Sequence, residues 1–161
     1  MKACYPGTFD PITKGHLDVI ERATKVFDEV DILIMKNPRK NCTFSEEERK
    51  EMIEQSLSTL PNASSIKVVI GTGLTVQYAE KLGAQAIIRG IRAVSDYEYE
   101  LQQATANMTL NDQIETIFFI ARPEYSFLSS TTVKEIAFNG GDISEFIPAP
   151  IVERVENKLH K

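Results

Sequence analysis

Runs of consecutive apolar residues alternate along this chain with stretches of helical period. Lys2–Tyr5, Val30–Met35, Ile66–Ile70, Ala86–Ile88 and Glu115–Ala121 read as strands. Their apolar residues occupy successive positions, as in Ile32-Leu33-Ile34-Met35, rather than alternate ones. A strand buried on both faces has that pattern, and parallel sheets are made of such strands.

The gaps read as helices. Leu17, Ile20, Ala23 and Phe27 recur at helical spacing. Ser45 followed by Glu48 has the form of a capping box, and Ile53, Leu57 and Leu60 line that helix's apolar face. A third helix is expected from about Leu74 to Leu82, stopped by Gly83. A fourth carries Tyr97, Leu101, Ala104 and Met108. A fifth starts near Ser130 and ends at Asn139-Gly140-Gly141. A last one, after Pro148 and Pro150, carries Ile151, Val155 and Leu159. The order β-α-β-α-β-α-β-α-β-α-α predicts an α/β fold, a doubly wound parallel sheet of five strands. With 161 residues, no internal repeat and no long Gly/Ser linker, one domain over residues 1–161 is expected.

Composition narrows the class. Hydrophobic residues at 42% and charged residues at 25% exclude a disordered chain. Lys plus Arg is 18 against 23 Asp plus Glu, a net charge of −5. That balance, without any basic stripe, argues against nucleic acid or an anionic membrane as partner. It leaves room for a local basic pocket holding a small anion. The apolar run Ile117–Ala121 falls far short of the ~20 residues a membrane span needs. The start lacks the apolar stretch of a secretory signal. Cys4 and Cys42 make neither a disulfide framework nor a zinc cluster. Reduced thiols and a cytoplasmic setting are expected.

In a doubly wound sheet, ligands bind beyond the carboxyl ends of the strands. The segments there are rich in phosphate-binding chemistry. Gly7-Thr8 ends the first strand, and Thr13-Lys14-Gly15-His16 opens a helix whose N–H groups and dipole suit a phosphate. Lys36, Arg39 and Lys40 follow the second strand, three cations within five residues of an acidic chain. Arg89-Gly90-Ile91-Arg92 ends the fourth strand, an arginine fork beside a glycine. Asp96 and Glu98 beyond it read as first-turn carboxylates favouring the helix dipole, and Glu100 is open to either reading. Ser129-Ser130-Thr131-Thr132 has more hydroxyls than one helix cap needs, and Tyr125 and Phe127 suit either an adenine or the core. Neither a Gly-x-Gly-x-x-Gly fingerprint nor a Gly-x-x-x-x-Gly-Lys-Ser/Thr loop occurs.

These segments carry a resemblance. Thr13-Lys14-Gly15-His16 is similar to the Thr/His-x-Gly-His signature of the nucleotidylyltransferase superfamily. Leu128-Ser129-Ser130-Thr131-x-x-Lys134 is similar to its Ile-Ser-Ser-Thr-x-x-Arg signature, with Leu for Ile and Lys for Arg. Along essentially its whole length the chain resembles bacterial phosphopantetheine adenylyltransferases. The segments Tyr5–Pro11, Ile88–Glu100 and Tyr125–Ser130 carry the likeness.

The resemblance implies a Rossmann-like nucleotidylyltransferase fold and transfer of an adenylyl group from ATP to 4′-phosphopantetheine, with Mg²⁺. It implies ATP contacts from Thr8, Phe9, His16, Gly90, Ile91, Arg92, Glu100, Tyr125, Ser126, Phe127, Leu128, Ser129, Ser130 and Thr131. Thr8, Lys40, Thr75 and Arg89 are implied on the acceptor side. His16 is the expected catalytic residue, donating from a protonated imidazole to the α-phosphate. A homohexamer inhibited by coenzyme A is also implied. The rivals are a nucleotidylyltransferase of the same fold with another acceptor and a noncatalytic nucleotide-binding module.

Overall fold

The computed structural model describes residues 1–160; Lys161, the end of the expected domain, lies outside them. The strands are β1 (Lys2–Gly7), β2 (Glu29–Met35), β3 (Ile66–Gly71), β4 (Ala86–Ile91) and β5 (Glu115–Ile120). The helices are α1 (Lys14–Ala23), α2 (Glu46–Leu57), α3 (Thr75–Lys81), α4 (Val94–Leu110), α5 (Ser130–Phe138) and α6 (Val152–Leu159). The sheet is parallel throughout and runs β3-β2-β1-β4-β5, so the order in which strands are added changes side between β1 and β4.

Both faces of the sheet are covered. Ala3, Tyr5, Ile32, Ile34 and Ile88 pack with α1, α2, α5 and α6 on one side. Cys4, Leu33 and Ile87 pack with Val76 and Ala79 of α3 on the other. This two-sided burial explains the unbroken apolar runs of β1, β2 and β4. The expectation fails for β5, an edge strand that is half-buried along its middle, with Ile120 64% exposed.

Two helix expectations need correction. Tyr97, Leu101 and Met108 of α4 do not face the core; each stays exposed, and the buried side chain of this helix is Glu100. Leu60 lies beyond the end of α2, although it does pack on the core. The capping box at Ser45 is present as read: its hydroxyl accepts from the Glu48 N–H at 3.1 Å, and Glu48 accepts from the Ser45 N–H at 2.8 Å.

The switch point opens the site. β1 and β2 pair across all six residues of β1, but β1 and β4 pair only at Ala3–Ala86 and Cys4–Ile87. Past that point the two strands part. The crevice between Tyr5–Gly7 and Ile88–Ile91 is where ligands of such sheets are held.

Candidate active site

Two cavities flank this crevice and share Pro6, Gly7, Thr8 and Arg89 as a common wall. The larger, about 740 Å³, also takes in Lys40 and Thr75. The smaller, about 280 Å³, takes in His16, Gly90, Arg92, Tyr125 and Ser129. All four expected acceptor residues therefore line the larger cavity. Of the expected ATP residues, Thr8, Phe9, His16, Gly90, Arg92, Glu100, Tyr125, Leu128, Ser129 and Ser130 line the smaller.

Ile91, Ser126, Phe127 and Thr131 do not line it. Ile91 is buried against the sheet, and Phe127 points outward, packed edge-on to Phe146. The Ser126 hydroxyl donates to the Pro123 carbonyl. Thr131 is exposed on the first turn of α5. The surplus of hydroxyls is largely used up: Ser129 caps α5 through the Thr132 N–H, and Ser130 donates to the Pro11 carbonyl at 2.7 Å. Of the three cations after β2, only Lys40 reaches the site; Lys36 and Arg39 are exposed and line neither cavity.

Gly7 has a packing role as well as its place in the cavity wall. A Cβ there would lie 2.8 Å from the Phe9 ring, so the glycine makes room for that ring. Phe9 holds a left-handed backbone (φ 50°) with its ring buried between Tyr5 and His16, at centroid distances of 5.3 and 4.9 Å. Few non-glycine residues adopt that conformation, and burial of the ring offsets its cost.

His16 sits on this aromatic platform. Its Nδ1 accepts the Thr13 N–H at 3.0 Å, with the Thr13 hydroxyl 3.2 Å away, and its own N–H donates to that hydroxyl at 3.3 Å. Thr13 and His16 thus form a capping box at the start of α1. The bond to Nδ1 leaves the ring proton on Nε2. Burial, then the Arg92 and Arg89 charges, push the His16 pKa down to about 4. These surroundings favour a neutral imidazole, against the protonated ring expected beside a phosphate. The α1 terminus is also less open than expected, since the Lys14 N–H donates to the Phe146 carbonyl at 2.9 Å.

The two arginines are held in place before any anion arrives. Arg89 forks onto Glu100, Nε to Oε2 and Nη2 to Oε1 both at 2.7 Å, and Nη1 donates to the Pro6 carbonyl at 2.6 Å. A guanidinium has five N–H donors, so about two remain for a ligand. Arg92 is held by Asp96 at 3.0 Å and donates to the Leu128 carbonyl at 2.8 Å, which ties the Tyr125–Ser130 loop over the smaller cavity. Asp96 therefore does more than favour a helix dipole. Across the crevice, Lys40 Nζ donates to the Thr8 hydroxyl at 2.8 Å.

Several cavity residues were not among those expected to bind a ligand. Tyr99, Gln103 and Asn107 of α4 line the larger cavity. Their spacing of four was a visible polar stripe. Asp96 stands four residues after Arg92, another readable pair. Arg49 sits in an all-charged stretch, Glu46–Glu51, where nothing distinguishes it. Lys134, which stands for Arg in the second signature, is paired with Asp10 at 3.0 Å.

Residues 4–136 match the cytidylyltransferase-like family model. A phosphopantetheine adenylyltransferase from Finegoldia magna is 49% identical over 159 residues, covering 99% of this chain and 96% of that one. The chain belongs to the phosphopantetheine adenylyltransferase family. Two solved structures share the fold at lower identity. The nicotinic acid mononucleotide adenylyltransferase of Plasmodium falciparum, complexed with NaAD, superposes with a TM-score of 0.70 at 14% identity, covering 98% of this chain and 93% of that one. A bifunctional NMN adenylyltransferase/ADP ribose pyrophosphatase from Francisella tularensis, complexed with AMP and a manganese ion, gives 0.68 at 18% identity. This chain is 97% covered there and spans 48% of that protein's length. At such identities these two share the phosphopantetheine adenylyltransferase fold and nothing finer.

Proposed function

We propose that the chain transfers the adenylyl group of ATP to 4′-phosphopantetheine, giving dephospho-coenzyme A and pyrophosphate. The observation that carries the reading is the pair of cavities meeting at Pro6–Thr8 and Arg89. A two-substrate reaction between phosphates needs such a shared wall. The 49% identity to the Finegoldia magna enzyme supports the choice of acceptor.

An oxygen of the acceptor phosphate attacks the α-phosphorus of ATP. The bond from that phosphorus to the β-phosphate's bridging oxygen breaks, and pyrophosphate leaves with the electron pair. The attacking oxygen is already anionic, so no base is required. The protein's task is to align two anions and hold charge on the α-phosphate. Lys40, Thr8 and the free edge of Arg89 hold the acceptor phosphate. Arg92 and the Tyr125–Ser130 segment hold the nucleotide. His16 presents a neutral Nε2–H to a non-bridging α-phosphate oxygen, a donor that needs no proton of its own in transit.

Mg²⁺ fits this site as an ion carried by ATP. Among the described residues no three His, Cys, Asp or Glu side chains cluster as a metal cage. The nearby carboxylates Asp96 and Glu100 are each held by an arginine. Mg²⁺ commonly binds substrate phosphates with few protein ligands, and here it would neutralise the departing pyrophosphate. The exposed apolar side chains of α4, Val94, Tyr97, Leu101, Met108 and Leu110, support self-association, and the family resemblance suggests a homohexamer. Coenzyme A shares the pantetheine arm of the acceptor and would compete for the larger cavity. A cytoplasmic setting is consistent with two free cysteines, and no described helix is long and apolar enough to cross a membrane.

A pyrophosphate-release assay tests the assignment. The purified protein with ATP and Mg²⁺ is expected to turn over 4′-phosphopantetheine and to leave pantetheine untouched, since pantetheine lacks the attacking phosphate. Faster turnover of nicotinamide mononucleotide, or ligand binding without any turnover, refutes it.

A further inference from the structure

The loop bearing Thr8 and the loop bearing Lys40 are joined by buried charge. Asp10, 3% exposed, lies between β1 and α1 and reaches across to the β2–α2 loop. Its Oδ2 accepts the Thr43 N–H at 2.9 Å, and its Oδ1 accepts the Phe44 N–H at 3.0 Å. Lys134 of α5 donates to the same Oδ2 at 3.0 Å. Arg49 of α2, 4% exposed, makes the reverse connection. Its Nη1 donates to the Thr8 carbonyl at 2.8 Å, and its Nε donates to the carbonyls of Phe44 at 3.1 Å and Ser45 at 3.3 Å. Two buried ionic side chains thus cross the same gap in opposite directions, and each grips backbone.

Burying charge is costly, and an apolar contact would hold two loops at less expense in solvation. What charge-assisted bonds to backbone add is direction and spacing. Those are the quantities the acceptor phosphate needs, because Lys40 is an exposed ammonium on a flexible stem and its partner Thr8 belongs to the other loop. We infer that Asp10 and Arg49 are positioning residues for the acceptor phosphate, setting the Lys40–Thr8 pair through the backbones of both loops. The inference rests on the acceptor reading given above. Neither residue acts on the reacting atoms.

Asp10→Asn and Arg49→Lys test it. An amide at position 10 turns an NH₂ toward the Phe44 N–H or toward the Thr43 N–H and the Lys134 ammonium. A lysine at 49 keeps its charge but cannot span the Thr8 and Phe44 carbonyls together. In either folded variant the KM for 4′-phosphopantetheine is expected to rise about tenfold or more, with the ATP KM within about threefold of wild type. In a Lys40→Met background the acceptor effect of Asp10→Asn is expected to shrink below about threefold, because both changes act on one contact. An unchanged acceptor KM, equal weakening of ATP, or full additivity with Lys40→Met overturns the role. If Asp10→Asn does not fold, Arg49→Lys decides on the same thresholds. Amide hydrogen exchange gives a readout that needs no substrate: in Asp10→Asn the Thr43 and Phe44 amides are expected to exchange about tenfold faster while the β2 amides do not change. Wild-type protein unable to use 4′-phosphopantetheine overturns the acceptor reading and this role with it. Unchanged exchange at Thr43 and Phe44 overturns the clamp alone.

Discussion

His16 changes most between expectation and structure. A phosphate-facing histidine at a helix start suggests an imidazolium, yet burial on an aromatic platform, and then two arginines, favour the neutral ring. In NMR titration its ring signals are expected to stay at neutral positions from pH 8 down to about 5, as a pKa near 4 requires. The same shift has a consequence for stability. Between about 6.5 and about 4 the unfolded chain takes up a proton that native His16 refuses. Stability therefore falls as pH drops through that window, by at most roughly 3–4 kcal/mol from this group. Replacing His16 with Asn should remove that part of the pH dependence, measured by urea unfolding at pH 7 and pH 4.5. His16→Ala should fold, retain most ATP affinity and lose roughly 10²–10³ in kcat, the cost of one preorganised donor. Near-normal turnover would remove His16 from the mechanism. Lys40→Met or Arg89→Ala should each weaken the acceptor more than ATP, by about 1.5–3 kcal/mol in kcat/KM for 4′-phosphopantetheine.

Elements were legible where one physical demand acted alone. β1, β2 and β4 show in the sequence because both their faces are buried, and α2 shows because its capping box is local. Helix α4 misled because its apolar residues turn outward while a carboxylate is buried, a pattern that solvent-facing logic inverts. Glu100 is buried only because Arg89 of a separate strand meets it, and no local pattern announces a pairing made by the fold. The second loop was half legible: its cations stood out, but only the backbone bonds to Asp10 and Arg49 decide which cation reaches the crevice. The α1 cap combines structure and chemistry in one motif. Thr13→Val removes the hydroxyl that caps the helix and flanks His16 Nδ1. It is expected to cost about 1 kcal/mol of stability. Its kcat should fall as well, since the ring loses part of its support; a stability loss with unchanged kcat would separate the cap from the catalysis.

At the scale of the molecule, assembly is the open expectation with the most direct reading. Light scattering should give the mass of a hexamer, and Leu101→Lys with Met108→Lys should give a smaller species if the α4 face is the contact. A monomeric wild-type protein would show that the exposed α4 side chains need another explanation. The parting of β1 and β4 also has a consequence for inhibitor design. Where the strands separate, Arg89 takes the Pro6 carbonyl and the Glu100 carboxylate, so the side chain proposed for the acceptor also closes the gap in the sheet. A resistance mutation at Arg89 would expose both groups at once, and an unpaired buried carboxylate is among the costlier defects a domain can carry. A compound that grips Arg89 therefore presses on a position with few viable escapes, whereas one that leans on exposed Phe127 meets a side chain with much less tying it to the fold.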